Sequence, residues 1–451
     1  MSEVGILGGG LTGLTLCSLL ENSEILERES ECGGLCRSIS EDGFTFDCGG
    51  SHIIFSRDRD ALNFMLSKLK DNVVKCRRNT KIIYKGRLVK YPFENGLADL
   101  PLIENFECVA TFLAARVKSR LLNALRFHCD GGAKSLHAWL LANFGRGIAS
   151  KYLIPYNEKI WKISAKEMSA SWVDGRVPKP PLRDVLRASL GFNTEGYTHQ
   201  LNFYYPKRGG IAALIRSLER ECKGRIVCDF EVKAIWRENG KWFVSNGEEC
   251  RRYDKIVATI PVFSIVHSLQ RGGESVPASV LRAVNALVFN SLATVMLGLE
   301  GVAEEKMSNI SWLYIPDADC LPHRVAFPSN YSREVAPEGK TAVLAEITCR
   351  DTTKMSDEEI IERTVNDLHR KKILRKEDVC FAKVMRTSPA YIVYDMNYEH
   401  NVSVVREYLQ RKGIILAGRF AKFEYMNMDA CVRNAMEVAR MLKTESGNWV
   451  K

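Results

Sequence analysis

The fold of this chain follows from one early stretch, Val4-Gly5-Ile6-Leu7-Gly8-Gly9-Gly10-Leu11-Thr12-Gly13. Its apolar beginning predicts a buried parallel strand, and apolar residues at helical spacing follow over 14–20. Between them, Gly8 permits a tight turn, Gly10 lets a phosphate group approach the backbone, and Gly13 lets strand and helix pack closely. The N–H groups at the start of the helix favour the same phosphates. The stretch therefore predicts a strand-turn-helix unit that binds a dinucleotide.

A second predicted strand, Glu24-Ile25-Leu26, ends in the acidic residue Glu27. A carboxylate at this place can accept hydrogen bonds from the hydroxyls of a ribose. A solitary Gly-x-Gly-x-x-Gly is a weak signal, and the second strand with its acidic end supplies the context that the motif requires. The alternative is a glycine-rich turn beside an exposed glutamate.

Two glycine pairs further along the chain favour FAD over NAD. Gly33-Gly34 lets another loop lie against the phosphates of the cofactor, and Gly49-Gly50 lets the backbone approach a flat ring system because no Cβ intervenes. The Glu-x5-Gly-Gly spacing resembles the glutathione-reductase-like FAD fold of the amine oxidase and protoporphyrinogen oxidase superfamily. The resemblance implies an α/β fold, with a Rossmann-type parallel sheet, an inserted helical subdomain and an antiparallel-sheet substrate domain.

The FAD-binding domain of such a fold is discontinuous in sequence. In this chain, a meander is expected from Glu231, a returning parallel strand over 253–261 and a last helix from Asp429 to Met441. The expected boundaries are 1–75, 205–262 and 401–445 for the FAD-binding domain, 101–200 for the helical subdomain, and 76–100 with 263–400 for the sheet of the substrate domain.

Several later stretches resemble UDP-galactopyranose mutase, especially its eukaryotic form. They are Gly50–Ser56, Tyr91–Asn95, Tyr156–Trp161, Trp172–Val177, Tyr205–Gly210, Trp312–Pro316, Ser329–Ser332 and the run from Gly418 to Asp429. In that family, reduced flavin N5 attacks the anomeric carbon of UDP-galactose, and the flavin-bound sugar opens and recloses with a different ring size. The resemblance implies an enzyme that interconverts pyranose and furanose forms of a nucleotide sugar, needs FAD in its reduced form and causes no net redox change.

The resemblance also implies roles for single residues. The catalytic set is His52, Arg176, Tyr391 and Tyr425; the substrate-binding set is Asn157, Trp161 and Arg176; the cofactor-binding set is Gly8, Gly10, Gly13, Glu27, Gly33, Gly34, Gly50, Val232, Arg419, Asn427 and Asp429. Arg176 and the two tyrosines would hold the diphosphate, since a guanidinium fork binds two phosphate oxygens at once. His52 would lie against the flavin, where its charge could respond to flavin reduction.

Each of these roles has a plainer structural alternative. Trp161 is equally consistent with a core aromatic residue, and the two tyrosines with packed rings whose hydroxyls are solvated. Arg176 has Asp174 and Glu167 nearby in sequence as ion-pair partners, and His52 could be a satisfied core histidine.

One residue departs from the mutase pattern. Glu300 stands where the family's second diphosphate-binding arginine is expected, and a carboxylate there would repel a diphosphate. This departure favours an alternative function, an FAD-dependent oxidase or dehydrogenase of the amine oxidase or protoporphyrinogen oxidase type. Such an enzyme passes hydride from the substrate to the flavin.

Composition narrows the class of partner. The chain has 451 residues and a net charge of +10, with 46% hydrophobic residues. Without runs of like charge, nucleic-acid binding is not expected, and the partner is a small molecule, such as a nucleotide sugar. The 14 cysteines show no zinc-site spacing, so no metal is expected.

The sequence predicts a soluble, cytoplasmic protein. No signal peptide precedes the first strand, and no apolar run is long enough for a transmembrane segment. Residues 106–128 alternate apolar and basic residues. They predict an amphipathic helix of the helical subdomain, with a membrane-surface helix as the alternative. The sequence does not determine the oligomeric state.

Overall fold

A computed structural model describes residues 4–124, 135–173, 177–192, 201–301, 305–351 and 354–447. The strands are β1 (Val4–Leu7), β2 (Ser23–Leu26), β3 (Ser38–Glu41), β4 (Phe44–Asp47), β5 (Val74–Arg77), β6 (Thr80–Tyr84), β7 (Arg87–Lys90), β8 (Asn202–Tyr205), β9 (Arg225–Val227), β10 (Ala234–Glu238), β11 (Lys241–Ser245), β12 (Cys250–Tyr253), β13 (Lys255–Ala258), β14 (Phe289–Glu300), β15 (Trp312–Tyr314), β16 (Arg324–Ala326), β17 (Lys340–Cys349), β18 (Val379–Ile392) and β19 (Ile415–Leu416). The helices are α1 (Leu11–Leu19), α2 (Arg59–Leu69), α3 (Leu102–Ala124), α4 (Leu136–Ile148), α5 (Ile154–Trp161), α6 (Leu182–Ser189), α7 (Ala212–Arg220), α8 (Val262–Arg271), α9 (Ala278–Asn285), α10 (Asp357–Arg370), α11 (Tyr398–Lys412) and α12 (Met428–Gly447).

The first sheet is parallel, has the order β19-β13-β1-β2-β9 and confirms the predicted fold class. Side chains alternate between the two faces of a strand, and all four residues of the central strand β1 are buried, so β1 is covered on both faces. Ile6 packs into a cluster with α1, α2, α7 and α12, whereas Leu7 packs against the β10–β12 meander with α8, α9 and α11. A strand covered on both sides must be apolar throughout, which explains the unbroken run that opens the sequence.

The second sheet has seven strands in the order β18-β14-β17-β16-β15-β6-β7. Its pairings are antiparallel except for the parallel pair β6 and β15. The long β14 forms the spine of this sheet, since it pairs with β17 on one side and with β18 on the other. The sequence predicted an antiparallel sheet in the part of the chain after residue 263, and the structure has one there.

Helices α3 to α6 form the inserted helical region, which lies between β7 and β8 in sequence. Gly145 has φ +73°, and a Cβ there would lie 2.5 Å from the backbone of Thr111. This glycine lets α4 bend against α3. After α4, a π-helical turn over Ala149–Leu153 leads directly into α5. None of the described helices is long and apolar enough to cross a membrane.

The segment 263–400, which was expected to form the sheet of the substrate domain, also contains helices, α10 among them. Residues 263–288 were assigned to the sheet of the substrate domain, but they form most of α8 and all of α9. Both helices pack on the meander side of the parallel sheet. The domain boundaries themselves stay a prediction.

Candidate functional site

The turn between β1 and α1 has the geometry that each glycine was expected to provide. Gly8 has φ +106°, and a Cβ on Gly13 would lie 2.0 Å from the carbonyl oxygen of Gly8. Gly10 differs, because a Cβ there would meet no described atom within 4 Å. Gly10 also precedes α1 as its N-cap and offers no side-chain cap, so the first N–H groups of the helix have no such partner. Gly13 is thus required by the protein itself, whereas the space at Gly10 suits a ligand.

The second glycine pair lies directly against this turn. Gly33 N–H donates to the carbonyl oxygen of Gly9 at 2.9 Å. Gly33 and Gly34 have φ +129° and +55°, and a Cβ on Gly34 would be 3.4 Å from Cα of Gly10. These positive angles favour glycine at both positions. The two loops form one cleft whose walls are backbone.

Glu27 is 8% exposed at the end of β2. One carboxylate oxygen accepts from Gly9 N–H at 2.6 Å, and the other accepts from Glu29 N–H at 3.0 Å. Each oxygen retains a second lone pair. The backbone therefore fixes the carboxylate and leaves it able to accept further hydrogen bonds. Val232, the residue expected at the adenine, accepts a hydrogen bond from Ser268 Oγ at 3.1 Å through its carbonyl. The roles of both residues in binding the cofactor stay predictions.

Residues 50–56, the loop that was expected to face the flavin, follow β4 and contact the antiparallel sheet. We call this segment the flavin loop. Gly50 has φ +89°, and a Cβ there would lie 3.0 Å from the carboxyl group of Glu346. Ser51 N–H donates to the same carboxylate at 2.9 Å. His52 Nδ1 lies 2.8 Å from the carbonyl oxygen of Gly50, so Nδ1 carries the proton and Nε2 is an acceptor. Burial, together with the charges of Arg324 and Arg419, lowers the pKa of His52 to about 4. The imidazole is therefore uncharged at neutral pH.

Arg324 and Glu346 form an ion pair, and neither residue was among the predicted site residues. These residues are register partners on β16 and β17. Arg324 Nε and Nη2 donate to the two carboxylate oxygens at 2.8 and 2.7 Å, and Glu346 is fully buried. The pairing raises the pKa of Arg324. A glutamate in the otherwise apolar run Ala342–Ile347 was the available signal, because a buried carboxylate requires a partner.

Four predicted residues meet in one aromatic cluster. The ring of Trp161 lies 6.0 Å from that of Tyr391 and 6.1 Å from that of Tyr425, measured between centroids. Trp161 Nε1 donates to Asn157 Oδ1 at 3.1 Å, and Asn157 Nδ2 donates to the carbonyl oxygen of Leu153 at 2.7 Å. Trp161 is only 6% exposed, so it is a packed aromatic residue that supports the tyrosines. Burial raises the pKa of Tyr391, which keeps its hydroxyl protonated.

Arg419 lies beside both tyrosines. Its guanidinium carbon is 4.5 Å from the ring centroid of Tyr425 and 5.6 Å from that of Tyr391. Nη2 donates to the carbonyl oxygen of Ala390 at 2.7 Å, whereas the buried Nε has no partner among the described residues. An unpaired buried donor is costly, and a ligand oxygen would satisfy it.

The last helix joins the flavin loop through Asp429. Its carboxylate accepts from Ser56 Oγ at 2.5 Å, and Asp429 lies in the first turn of α12. The carbonyl of Asn427, just before this helix, accepts from Cys431 N–H at 3.0 Å. Both residues therefore lie at a helix N-terminus, where an anionic group is favoured. Their contact with the cofactor stays a prediction.

The sequence profile of one family, flavin containing amine oxidoreductase, matches residues 22–442. The chain belongs to this family. Membership implies FAD as the cofactor. A curated relative, the inactive all-trans-retinol 13,14-reductase of Danio rerio, is 31% identical over 104 residues, which make up 21% of this chain and 17% of the relative. The chain thus matches less than a fifth of that protein's length.

Solved structures of other proteins share the fold of this chain. Reduced UDP-galactopyranose mutase matches with a TM-score of 0.88 and 22% identity, over 98% of this chain and 94% of the other. A protein described as a protoporphyrinogen oxidase from Exiguobacterium matches with a TM-score of 0.74 and 19% identity, over 98% and 99%. Putrescine oxidase bound to putrescine matches with 0.66 and 14%, also over 98% and 99%. At these identities the likeness establishes the fold alone.

The residues of this chain fit FAD at three separate places. The space at Gly10 and the uncapped start of α1 suit a pyrophosphate. The carboxylate of Glu27 is held at the end of the neighbouring strand. The unsatisfied Nε of Arg419 lies near the flavin loop and the start of α12. The arrangement has the charge and the space that the cofactor requires.

Two predicted residues remain, Arg176 and Glu300. Arg176 lies outside the described residues. Glu300, which was expected to oppose a diphosphate, is exposed at one end of β14 and pairs with Lys340 at 2.6 Å. Asn290, at the other end of β14, is in register with Tyr391, so Glu300 lies roughly 33 Å away along the strand at about 3.3 Å per residue. The expectation for Glu300 was therefore wrong, because assigning it by alignment ignored the length of the strand.

Proposed function

We propose that this protein is an FAD-dependent isomerase that interconverts the pyranose and furanose forms of a nucleotide sugar. The observation that carries the proposal is the convergence of two arginines and two tyrosine rings. Arg419 lies against both rings, and Arg324 lies close to Tyr391 through the shared carboxylate of Glu346. Arginine side chains beside tyrosine hydroxyls form a site suited to a diphosphate.

Each residue of the site has a part in this proposal. FAD, when bound and reduced, supplies a nucleophilic ring nitrogen for the anomeric carbon. Arg324 and Arg419 stabilise the negative charge of the departing diphosphate. Tyr391 keeps its hydroxyl protonated because of burial, and in the complex it would turn this O–H from Glu346 to a phosphate oxygen. Trp161 holds the tyrosine rings in place and excludes water from this side.

The position of Glu300 supports the proposal indirectly. Its carboxylate was the one feature of the sequence that argued against a diphosphate ligand. In the structure Glu300 is neutralised by Lys340 at the far end of β14. The site near Tyr391 therefore lacks that repulsion, and Arg324 provides a cation there that the sequence comparison did not find.

The test uses the purified holoprotein, reduced with dithionite under nitrogen and mixed with UDP-galactopyranose or UDP-galactofuranose. Interconversion followed by chromatography, present only after reduction, is the expected result. Arg324→Lys should lower the rate at least about tenfold because a lysine lacks the planar fork with which Arg324 holds Glu346, and so loses the fixed position of the remaining N–H group that would bind a phosphate oxygen. Arg208→Lys is the matched control, since Arg208 is 78% exposed. Unchanged sugars, with no binding of either nucleotide sugar, would refute the proposal.

A second function is favoured by one specific observation. Glu346 already accepts two hydrogen bonds from Arg324, and this pairing reduces the positive charge that a diphosphate would meet. A site with less positive charge beside the flavin suits an oxidoreductase, in which hydride passes from a substrate carbon to oxidised FAD. Anaerobic bleaching of the flavin absorbance by a substrate such as an amine would support this function. Bleaching without any sugar isomerisation would decide between the two.

A further inference from the structure

The helical region presents a large apolar surface to solvent. Leu102, Ile103 and Phe106 at the start of α3, and Leu190 at the end of α6, are each at least 75% exposed, and Phe192 is 58% exposed. We call these five residues the α3–α6 patch. Single exposed apolar residues are ordinary, but a contiguous group of large ones marks an interaction surface.

The two halves of the α3–α6 patch are held together. Asn105 Nδ2 donates to the carbonyl oxygen of Ser189 at 2.9 Å, which ties α3 to the end of α6. The guanidinium of Arg187 lies 5.7 Å from the ring centroid of Phe192. The exposed side chains therefore belong to one fixed surface.

The apolar surface continues along α3. Val117 and Leu121 are 56% and 57% exposed. At about 100° per residue, Ile103, Phe106, Val117 and Leu121 fall within roughly 60° of the helix circumference. At 1.5 Å per residue, the stripe is about 27 Å long. An amphipathic helix with such an uncovered apolar stripe requires a partner.

The surroundings of this surface are basic. Lys118 and Arg120 flank the stripe near its far end, and Arg183 and Arg187 lie on α6 beside the patch; all four are exposed. The acidic residues of α3 near the patch are already paired. Glu104 binds Lys85 at 2.6 Å, and Glu107 binds Lys151 at 2.7 Å. The surface thus combines apolar side chains with a surplus of positive charge.

We propose that this face docks on an anionic lipid bilayer, with the α3–α6 patch inserted at the boundary between headgroups and acyl chains. Apolar side chains bordered by lysine and arginine are the chemistry of helices that lie in a membrane interface. Insertion buries the five side chains, and the bordering cations meet lipid phosphates and carboxylates. The association is peripheral, since no described helix could cross the bilayer.

Charge disfavours a second copy of the chain as the occupant. A two-fold symmetric interface brings the same surface of two copies together. Here the bordering cations Arg183 and Arg187 of one copy would face cations of the other, Lys118 and Arg120 among them. Like charges opposed across an interface are unfavourable, whereas an anionic bilayer complements them.

The test is flotation of the holoprotein with vesicles. Vesicles of phosphatidylcholine and phosphatidylserine in equal parts should carry the protein, pure phosphatidylcholine vesicles should carry much less, and added salt should weaken the binding. Ile103→Glu combined with Phe106→Glu should lower the partition coefficient at least about tenfold. Met441→Glu is the matched control, since Met441 is 41% exposed on α12. Flavin absorbance and thermal unfolding of each variant establish that the fold is intact.

Three results would overturn the proposal. The wild-type protein fails to float with either vesicle; the double variant floats as well as the wild type; or light scattering finds a dimer that the double variant abolishes while vesicles bind neither protein. The last result would assign the surface to a second copy. None of these outcomes depends on the substrate, so the test is independent of the proposed enzymatic function.

Discussion

Replacing Glu346 by glutamine is the sharpest test of the buried ion pair. The glutamine keeps the shape of the side chain but removes the negative charge that holds Arg324. Its amide also has only one oxygen, whereas Arg324 and Ser51 together use both carboxylate oxygens. Breaking a buried ion pair by removing one partner costs about 3–5 kcal/mol. That loss is a large fraction of the roughly 5–15 kcal/mol that stabilises a typical protein.

Urea unfolding of the holoprotein, followed by tryptophan fluorescence, measures this loss. Glu300→Gln is the matched control, because Glu300 on β14 forms an ion pair with Lys340 on the neighbouring β17 but is exposed, so little change is expected. The double variant Glu346→Gln with Arg324→Met should recover part of the stability, since it removes the unpaired cation. If Glu346→Gln unfolds at the same urea concentration as Glu300→Gln, the pair is not desolvated and the reasoning fails.

Three further predictions address the cofactor turn, the histidine and a buried lysine. Gly10→Ala should leave the apoprotein stable but abolish FAD retention, because its Cβ meets no described atom, whereas Gly13→Ala should disrupt folding through its 2.0 Å clash; flavin absorbance and circular dichroism separate the two. Burial lowers the pKa of His52 to about 4, below the ordinary histidine value of 6.5, so the unfolded state takes up the proton at a higher pH than the folded state does. Stability should therefore fall by about 3 kcal/mol as the pH drops from 6.5 to 4. Burial raises the pKa of Asp47 to about 6, so protonation of Asp47 stabilises the folded state as the pH falls, opposite to His52. The pH dependence of stability is therefore compared between the wild type and His52→Gln, in which the loss due to His52 should be absent. Lys159 donates to three carbonyl oxygens at 2.7–2.9 Å, and Lys159→Met should lower the urea midpoint by an amount equivalent to about 3 kcal/mol; an unchanged midpoint would contradict this account.

Local chemistry made the cofactor-binding turn predictable. A side chain would prevent the backbone angles or contacts found at Gly8, Gly13 and Gly33. Such positions require glycine, and the glycines are visible in the sequence. The central strand β1 was also predictable, since a strand buried on both faces requires an unbroken run of apolar residues. These features are local, so neighbouring residues suffice to reveal them.

The candidate substrate site was only partly predictable. Resemblance selected Trp161, Tyr391 and Tyr425, and the structure brings the three rings together. Resemblance also assigned Glu300 to this site, where it is absent, and overlooked Arg324. The two errors have different causes: the position of a motif in the sequence does not show which end of the long β14 faces the site, nor does it show that Arg324 on β16 becomes the register partner of Glu346 on β17.

By itself, the sequence determined the dinucleotide turn, the parallel sheet around it and the preference for FAD, because glycine angles and apolar periodicity act over a few residues. Only the tertiary structure decided that Glu346 and Arg324 form a buried pair beneath the flavin loop, and that α3 exposes its apolar stripe. Those outcomes depend on which strands and helices become neighbours. Packing between distant segments sets the burial and partner of each charged or apolar side chain.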